Sequence, residues 1–274
     1  MNFMRTSGLN DIPPVVKNLI LINILMLLAT WVLGTSFDIE LNNILGLHYF
    51  KSDYFEPYQI VTHMFMHGGL MHLFFNMFAL WMFGRVLETV WGSKRFFIYF
   101  IITGLGAAAL HTFVIHLQMQ SIMRDVAVYM STPSPDAFAI FVKGHFPEYY
   151  SQIYKGVLDN WYSNPDSLQY VSVSQQYITD LLKMKMDIPT VGASGAVFGV
   201  LLAFGMLFPN TELMLLFPPI PIKAKWFVIM YGGLELWFGL TEPGSNIAHF
   251  AHLGGMLFGF ILIKYWNSKS KNFF

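Results

Sequence analysis

Six stretches of this chain are apolar for long enough to read as helices in a bilayer: residues 15–34, 69–87, 96–118, 190–208, 226–241 and 247–266. A spanning helix needs about 20 mostly apolar residues, and inside lipid every backbone N–H and C=O must be satisfied within the structure itself. The pattern therefore predicts an all-α membrane protein, a bundle of six transmembrane helices. The fourth and fifth runs are short, which suits helices in a bundle interior or beneath a locally thinned bilayer. Polar stretches divide the rest. The expected parts are an N-terminal tail (1–14), a core segment (15–119) with an outer loop (35–68), an extramembrane helical insertion between spans three and four (120–189), a second core segment (190–266) and a C-terminal tail (267–274).

In the outer loop, Leu41, Leu45, Phe50, Phe55 and Tyr58 suit the membrane interface while Asp38, Glu40, Asp53 and Glu56 face water. A plain polar loop fits the same pattern equally well. Within the insertion, Ser134-Pro135 and Pro165-Asp166 read as helix starts, because proline fits the first helical turn. Phe138, Phe141, Phe146, Tyr150, Tyr154 and Trp161 can then form the interior of a small helical cap. A substrate-screening lid is the alternative, and no sequence feature singles it out.

Composition sharpens the class. Of 274 residues, 55% are hydrophobic and 12% charged, about half the charged share of a soluble domain. The formal net charge is zero, which argues against nucleic acid and leaves the lipid bilayer as the evident surrounding. The chain has no cysteine, so disulfides, a thiolate nucleophile and cysteine-held metal are excluded. Basic residues set the orientation. With the N-terminus inside, Arg5, Lys17, Arg85, Lys94, Arg95, Lys223, Lys225, Lys264, Lys269 and Lys271 all fall on the inner side. Most of the rest lie in the long insertion, where the positive-inside rule loses force. Both termini are then cytoplasmic. Residues 1–14 resemble neither a cleavable signal nor a transit peptide, so a bacterial plasma membrane is the expected location.

Polar side chains at membrane depth are expensive, so a cluster of them marks a function. Ser194 sits in the apolar run Val191–Val200, flanked by Gly192 and Gly195. A lone serine usually bonds to its own backbone or joins two helices. Spacing makes this one different. Gly195 and Gly199 are four apart, as are Gly255 and Gly259, so each pair opens a groove on one helix face and two such helices can pack with backbones nearly touching. His252 lies three residues before Gly255, near the same face. Counted from Pro189, Asn246 and Gly69, the residues Ser194, His252 and Asn76 lie about 7, 9 and 10 Å along their helices at ~1.5 Å per residue. His72 and Asn76, at i and i+4, share a face.

Those residues suit amide hydrolysis, which needs a nucleophile, a base and donors for the developing oxyanion. Ser194 is the expected nucleophile and His252 the general base. His72, Asn76 and the Ser194 backbone N–H are the expected oxyanion donors. No aspartate lies in a span, so the arrangement reads as a Ser-His dyad, with Phe198 able to stack on His252 and limit its rotation. Glu235, the one acid well inside a span, is a rival orienting group and is read as structural. His249 is the rival base. His63 and His67 either line water access or are wet loop histidines, the latter being preferred. No His-Glu-x-x-His run and no matching carboxylate pair is present, so neither a metal nor any other cofactor is expected.

With these residues assembled, the chain resembles the rhomboid intramembrane serine proteases. The resemblance rests on Gly192-Ala193-Ser194-Gly195, on Ala251-His252 followed by Gly255 and Gly259, and on His72 with Asn76. It extends to Gly84-Arg85 and Glu88, the loop Pro218-Pro219-Ile220-Pro221 and the six-span order, over roughly 15–118 and 189–266. It implies a six-helix fold around a water-filled cavity open to the outside, and a serine endopeptidase that cuts single-span membrane proteins near the outer end of their helix. It further implies a gate made of Trp226 to Leu240 and the loop Thr241 to Ile247. Two positions depart from the family pattern: Tyr58-Gln59 stands where Trp-Arg is common, and Phe198 where tyrosine is common. The insertion has no counterpart in the minimal family core. A catalytically silent relative, a membrane chaperone or dislocation factor that binds transmembrane helices, is the competing function, and the presence of both Ser194 and His252 favours the enzyme. A transporter would show internal repeats or paired broken helices, and the sequence shows neither.

Overall fold

The computed structural model describes residues 12–214, 219–242 and 248–269. Much of the expected tails, Pro218, Asn246 and the 243–247 part of the expected gate lie outside the described residues. Helices occupy each of the predicted runs, as Pro14–Phe37, Leu70–Trp91, Ser93–Ser131, Ser194–Leu207, Ala224–Thr241 and His249–Lys269. The first three are long and apolar enough to cross a bilayer, which makes this an integral membrane protein. The helix Ser194–Leu207 has 14 residues, or about 21 Å, well short of a ~30 Å hydrocarbon core.

Contacts divide the chain into two compact units. One combines the chain up to Leu47, Glu56–Thr112 and the chain from Pro189 onward; the other combines His48–Phe55 with Phe113–Ile188. The 39-residue helix Ser93–Ser131 supplies residues to both.

In the first unit, Pro14 opens the first helix at the position where its missing N–H costs nothing. The next two N–H groups would be unpaired, and Glu88 of the second helix takes them: its carboxylate oxygens accept from Val15 N at 3.0 Å and Val16 N at 2.8 Å. The same carboxylate accepts from Ser93 Oγ at 2.7 Å. Glu88 is buried, and three charge-assisted hydrogen bonds offset its desolvation. The second helix relaxes into a wider π turn over Leu80–Gly84, a deformation often retained near functional sites. Leu80, Phe96, Phe100, Val200 and Ala203 fill the interior. Lipid tails are as apolar as these side chains, so close packing rather than water exclusion holds the helices together.

Gln59 and Thr62 fasten the outer loop. Gln59 Nε2 donates to Ile44 O at 3.1 Å and Thr62 Oγ1 to Leu45 O at 2.7 Å. Gln59 thus ties down the short helix Leu41–Leu45. Phe50 and Tyr58 are exposed, as are all four acids. Glu212–Met214 and Pro221–Lys223 pair as an antiparallel hairpin after the Ser194–Leu207 helix.

The second unit has an aromatic interior of its own. Trp161, Phe138 and Phe146 are fully buried, each contributing on the order of 1.5–3 kcal/mol if the reference is water. Ser134 Oγ caps the helix Pro135–His145 by accepting from Ala137 N at 3.1 Å. The expected start at Pro165-Asp166 falls early. The helix begins at Leu168, and Pro165 O accepts from Trp161 Nε1 at 3.2 Å. Tyr154 points outward rather than into this interior.

Candidate active site

The helix carrying the serine begins at Ser194 itself, not near Pro189. The residues just before it are not part of that helix, and backbone hydrogen bonds hold them in place. Leu47 and Thr190 exchange N–H···O bonds of 2.9 and 2.8 Å, and Gly192 N donates to His63 O at 2.9 Å. Gly192 has φ of +133°, a region that side chains rarely enter. A Cβ there would also lie 2.9 Å from His72 Nε2 and 3.6 Å from Ser194 Oγ. Glycine therefore keeps open the space between His72 and the serine. The start of the last helix is revised as well: His249 opens it, so His252 is three residues in. The second helix starts as counted, with Gly69 at its N-cap and Asn76 seven residues on. Two of the three depth counts, those for Ser194 and His252, rested on starts the chain does not use; the segment 189–193, anchored by the Leu47–Thr190 pair, hangs the serine at a helix N-terminus. That terminus aims unpaired N–H groups and the positive end of the helix dipole at the site.

Ser194 Oγ lies 2.9 Å from His252 Nε2. Phe198 stacks on the imidazole with ring centroids 4.1 Å apart and planes inclined by 3°, which fixes the ring plane. The helices approach closely enough because Gly255 faces Gly195: a Cβ on Gly255 would fall 1.8 Å from Gly195 O. The other two glycines do not complete a two-helix groove as expected. Gly199 abuts Thr103, and Gly259 abuts the hydroxyl of Tyr99, which donates to Gly199 O at 2.8 Å. The third helix is wedged along the pair, with Ala107 against Gly195 and Gly254. The run Gly104-Leu105-Gly106-Ala107-Ala108 was the signal for this contact.

Glu235 is the residue that the dyad expectation misses. Its Oε2 accepts from His249 Nδ1 at 2.6 Å and lies 2.9 Å from His252 Nδ1. The second contact is at ion-pair distance but not in hydrogen-bond alignment, since His252 Nδ1 has no aligned partner among the described residues. A carboxylate thus adjoins the imidazole on the side away from the serine, with His249 holding that carboxylate. His249, the rival base, is engaged with Glu235 instead. The sequence argument against metal looked for a single-helix motif and does not cover this group. Glu235, His249 and His252 bring one oxygen and two nitrogens within 4.8 Å of one another.

On the opposite side, His72 is half-buried and its Nδ1 accepts a long contact from Gly68 N at 3.4 Å, which leaves the ring proton on Nε2, toward Gly192. Asn76 Nδ2 donates to His72 O at 2.9 Å. A crevice beside the serine is lined by His63, His111, Thr190, Gly192 and Ser194.

His63 and His67 are buried, not wet. His67 is 1% exposed, and neither ring nitrogen has a hydrogen-bond partner among the described residues. Burial, and secondarily the neighbouring His72, pushes its pKa down to about 4. An unfolded histidine titrates near 6.5, so between those values the unfolded chain binds a proton that the folded chain refuses. Stability should be full above pH ~6.5, fall by up to about 3 kcal/mol as the pH drops toward 4, and level off below. Thermal denaturation in detergent across this range checks the slope, and His67→Gln should make it shallower.

Residues 54–140 and 167–268 match the family model described as the Rhomboid domain, and these segments include His72, Asn76, Ser194, Glu235 and His252. The chain is 26% identical to an uncharacterized mitochondrial rhomboid protein of Schizosaccharomyces pombe, over 92% of this chain and 66% of that protein. It is also 26% identical to the mitochondrial Rhomboid protein 1 of Saccharomyces cerevisiae, over 77% of this chain and 42% of that protein. The chain therefore spans less than two thirds of either relative. Both relatives carry a mitochondrial designation, which runs against the bacterial location expected from residues 1–14. With a serine and a histidine joined across two glycine-packed helices, and the Rhomboid domain matched over most of the sequence, this chain is a member of the rhomboid family.

Proposed function

We propose that the chain is an intramembrane serine endopeptidase that cuts transmembrane segments of single-span membrane proteins near their outer end. The observation that carries the reading is the 2.9 Å approach of Ser194 Oγ to His252 Nε2. Family membership supports it, since rhomboid domains are generally serine intramembrane proteases. Ser194 Oγ attacks the scissile carbonyl as His252 Nε2 takes its proton. The oxyanion is held by His72 Nε2–H, the Asn76 amide and the Ser194 backbone N–H. His252 then protonates the leaving amine, and water admitted through the crevice hydrolyses the acyl-enzyme. In this reading the six helices cross the bilayer with both termini cytoplasmic, and the insertion 120–189 lies outside the membrane.

A fluorophosphonate probe tests the assignment: it should label the folded protein, and the modified residue should map to Ser194. Labelling elsewhere, or none in a preparation that cuts a membrane-embedded reporter, overturns it.

Glu235 acts as a positioning residue in this scheme, keeping the proton on His252 Nδ1 and stabilising the imidazolium. Glu235→Gln should lower kcat by ~10–100-fold with little change in KM, less than the ~10⁴-fold known for loss of an aligned triad carboxylate. A split dominated by KM would assign Glu235 to substrate binding instead.

A further inference from the structure

We propose that Glu235, His249 and His252 form a site for a divalent transition metal, zinc being the best fit, and that occupancy of this site switches the serine centre off. The inhibitory consequence rests on the protease reading; the site itself does not. Two imidazoles and one carboxylate are a donor set that zinc takes with three protein ligands and an open fourth position. The set favours zinc, copper, nickel or cobalt over magnesium or calcium, which prefer all-oxygen surroundings. The donors are Glu235 Oε2, His249 Nδ1 and His252 Nδ1, all within 4.8 Å of one another, and both histidines are buried. His252 Nδ1 is also a buried nitrogen without an aligned partner among the described residues, aimed at this point.

Metal bonds of ~2.0–2.2 Å in a tetrahedron set donors roughly 3.3 Å apart. The present oxygen-to-nitrogen separations are 2.6 and 2.9 Å, so the carboxylate has to withdraw by less than ~1 Å, while the two imidazole nitrogens, within 4.8 Å of each other, settle toward the same ~3.3 Å spacing. Its helix can give that much, because only Ala224 and Val228 are buried along Ala224–Thr241.

The ring chemistry dictates what a bound ion does. Ser194 meets His252 through Nε2, and the metal takes Nδ1. A neutral imidazole with a metal on Nδ1 carries its proton on Nε2, where it donates to the serine oxygen and can accept nothing from it. The base is thereby lost. The ion sits across the ring from the serine and delivers no water to a carbonyl held there, so the site inhibits rather than catalyses.

The test uses the full chain in detergent with Zn²⁺ and Co²⁺ as probes. Zn²⁺ should inhibit cleavage by the wild type, and chelation should restore it. Each measured against its own metal-free rate, His249→Gln and Glu235→Gln should raise the half-inhibiting Zn²⁺ concentration by at least ~10-fold, since losing even an outer-shell partner costs about 10–100-fold in metal affinity. Co²⁺ added to Ser194→Ala should give the visible bands of a tetrahedral site. In the further variant His249→Cys a thiolate-to-cobalt band should appear, free of background because the chain has no cysteine. Unchanged half-inhibition in both variants, or no cobalt–thiolate band, overturns the site. Cobalt bound through His249→Cys while the metal-free wild type cuts nothing would keep the site and sink the protease reading; cleavage by the wild type without metal binding would do the reverse.

Discussion

Ser194→Ala should reduce cleavage of a membrane-embedded reporter below detection while leaving the protein's helix content and detergent-phase behaviour unchanged. In soluble serine proteases loss of the nucleophile costs ~10⁶-fold in kcat, and among the described residues no second hydroxyl meets His252 Nε2 to replace it. The fold should survive, because Ser194 is only half-buried and the elements around it are fixed by Gly192, His63 and the Leu47–Thr190 pair. His252→Ala should cost about as much, and the double variant no more than either single one, since the two residues act as a unit. Additive losses, or turnover persisting in Ser194→Ala, would show that the hydroxyl and the imidazole do not share a step.

Gly255→Val should lower both stability and activity. Its Cβ would start 1.8 Å from a backbone oxygen of the facing helix, and backbone cannot swing aside as a side chain can. The helices would have to part by more than ~1 Å, which costs on the order of 1–3 kcal/mol as overpacking and about 10²-fold in rate as misplacement of the proposed catalytic pair. Gly233→Ala is the matched control, with nothing within 4 Å of the added carbon. Thermal unfolding and cleavage of a reporter, measured on both variants, check the pair; equal behaviour would mean that the close approach is not what holds the serine to the base.

The serine and the imidazole were legible in the sequence because polar residues are scarce in apolar runs, and the glycines around them announced a close helix contact. Two of the helix starts were not. Hydropathy cannot distinguish a non-helical apolar stretch from a helical one, so Val191 and Gly192 read as part of a span, although Gly192 takes a conformation that belongs to no helix. Glu235 was visible as an intramembrane acid, but its partners sit on another helix, and the phase between two helices is not written in either. Tyr99 and Thr103 escaped notice for a similar reason: only the packed bundle reveals that Gly199 and Gly259 make room for a third helix. His67 looked like a loop residue because polarity and position gave no hint that its ring would be enclosed.

Of the helices around the serine, the one bearing Glu235 is the least embedded, with two enclosed residues in 18. Both of its oxygen contacts to the histidine pair lie under 3 Å, so a sideways swing of that rod by a single atomic diameter breaks them together. On the proposed protease reading, anything that pries the bundle apart along this flank, whether an incoming peptide or a change in lipid thickness, also detunes the base. How wide the door stands and how ready the chemistry is are then set by one and the same displacement.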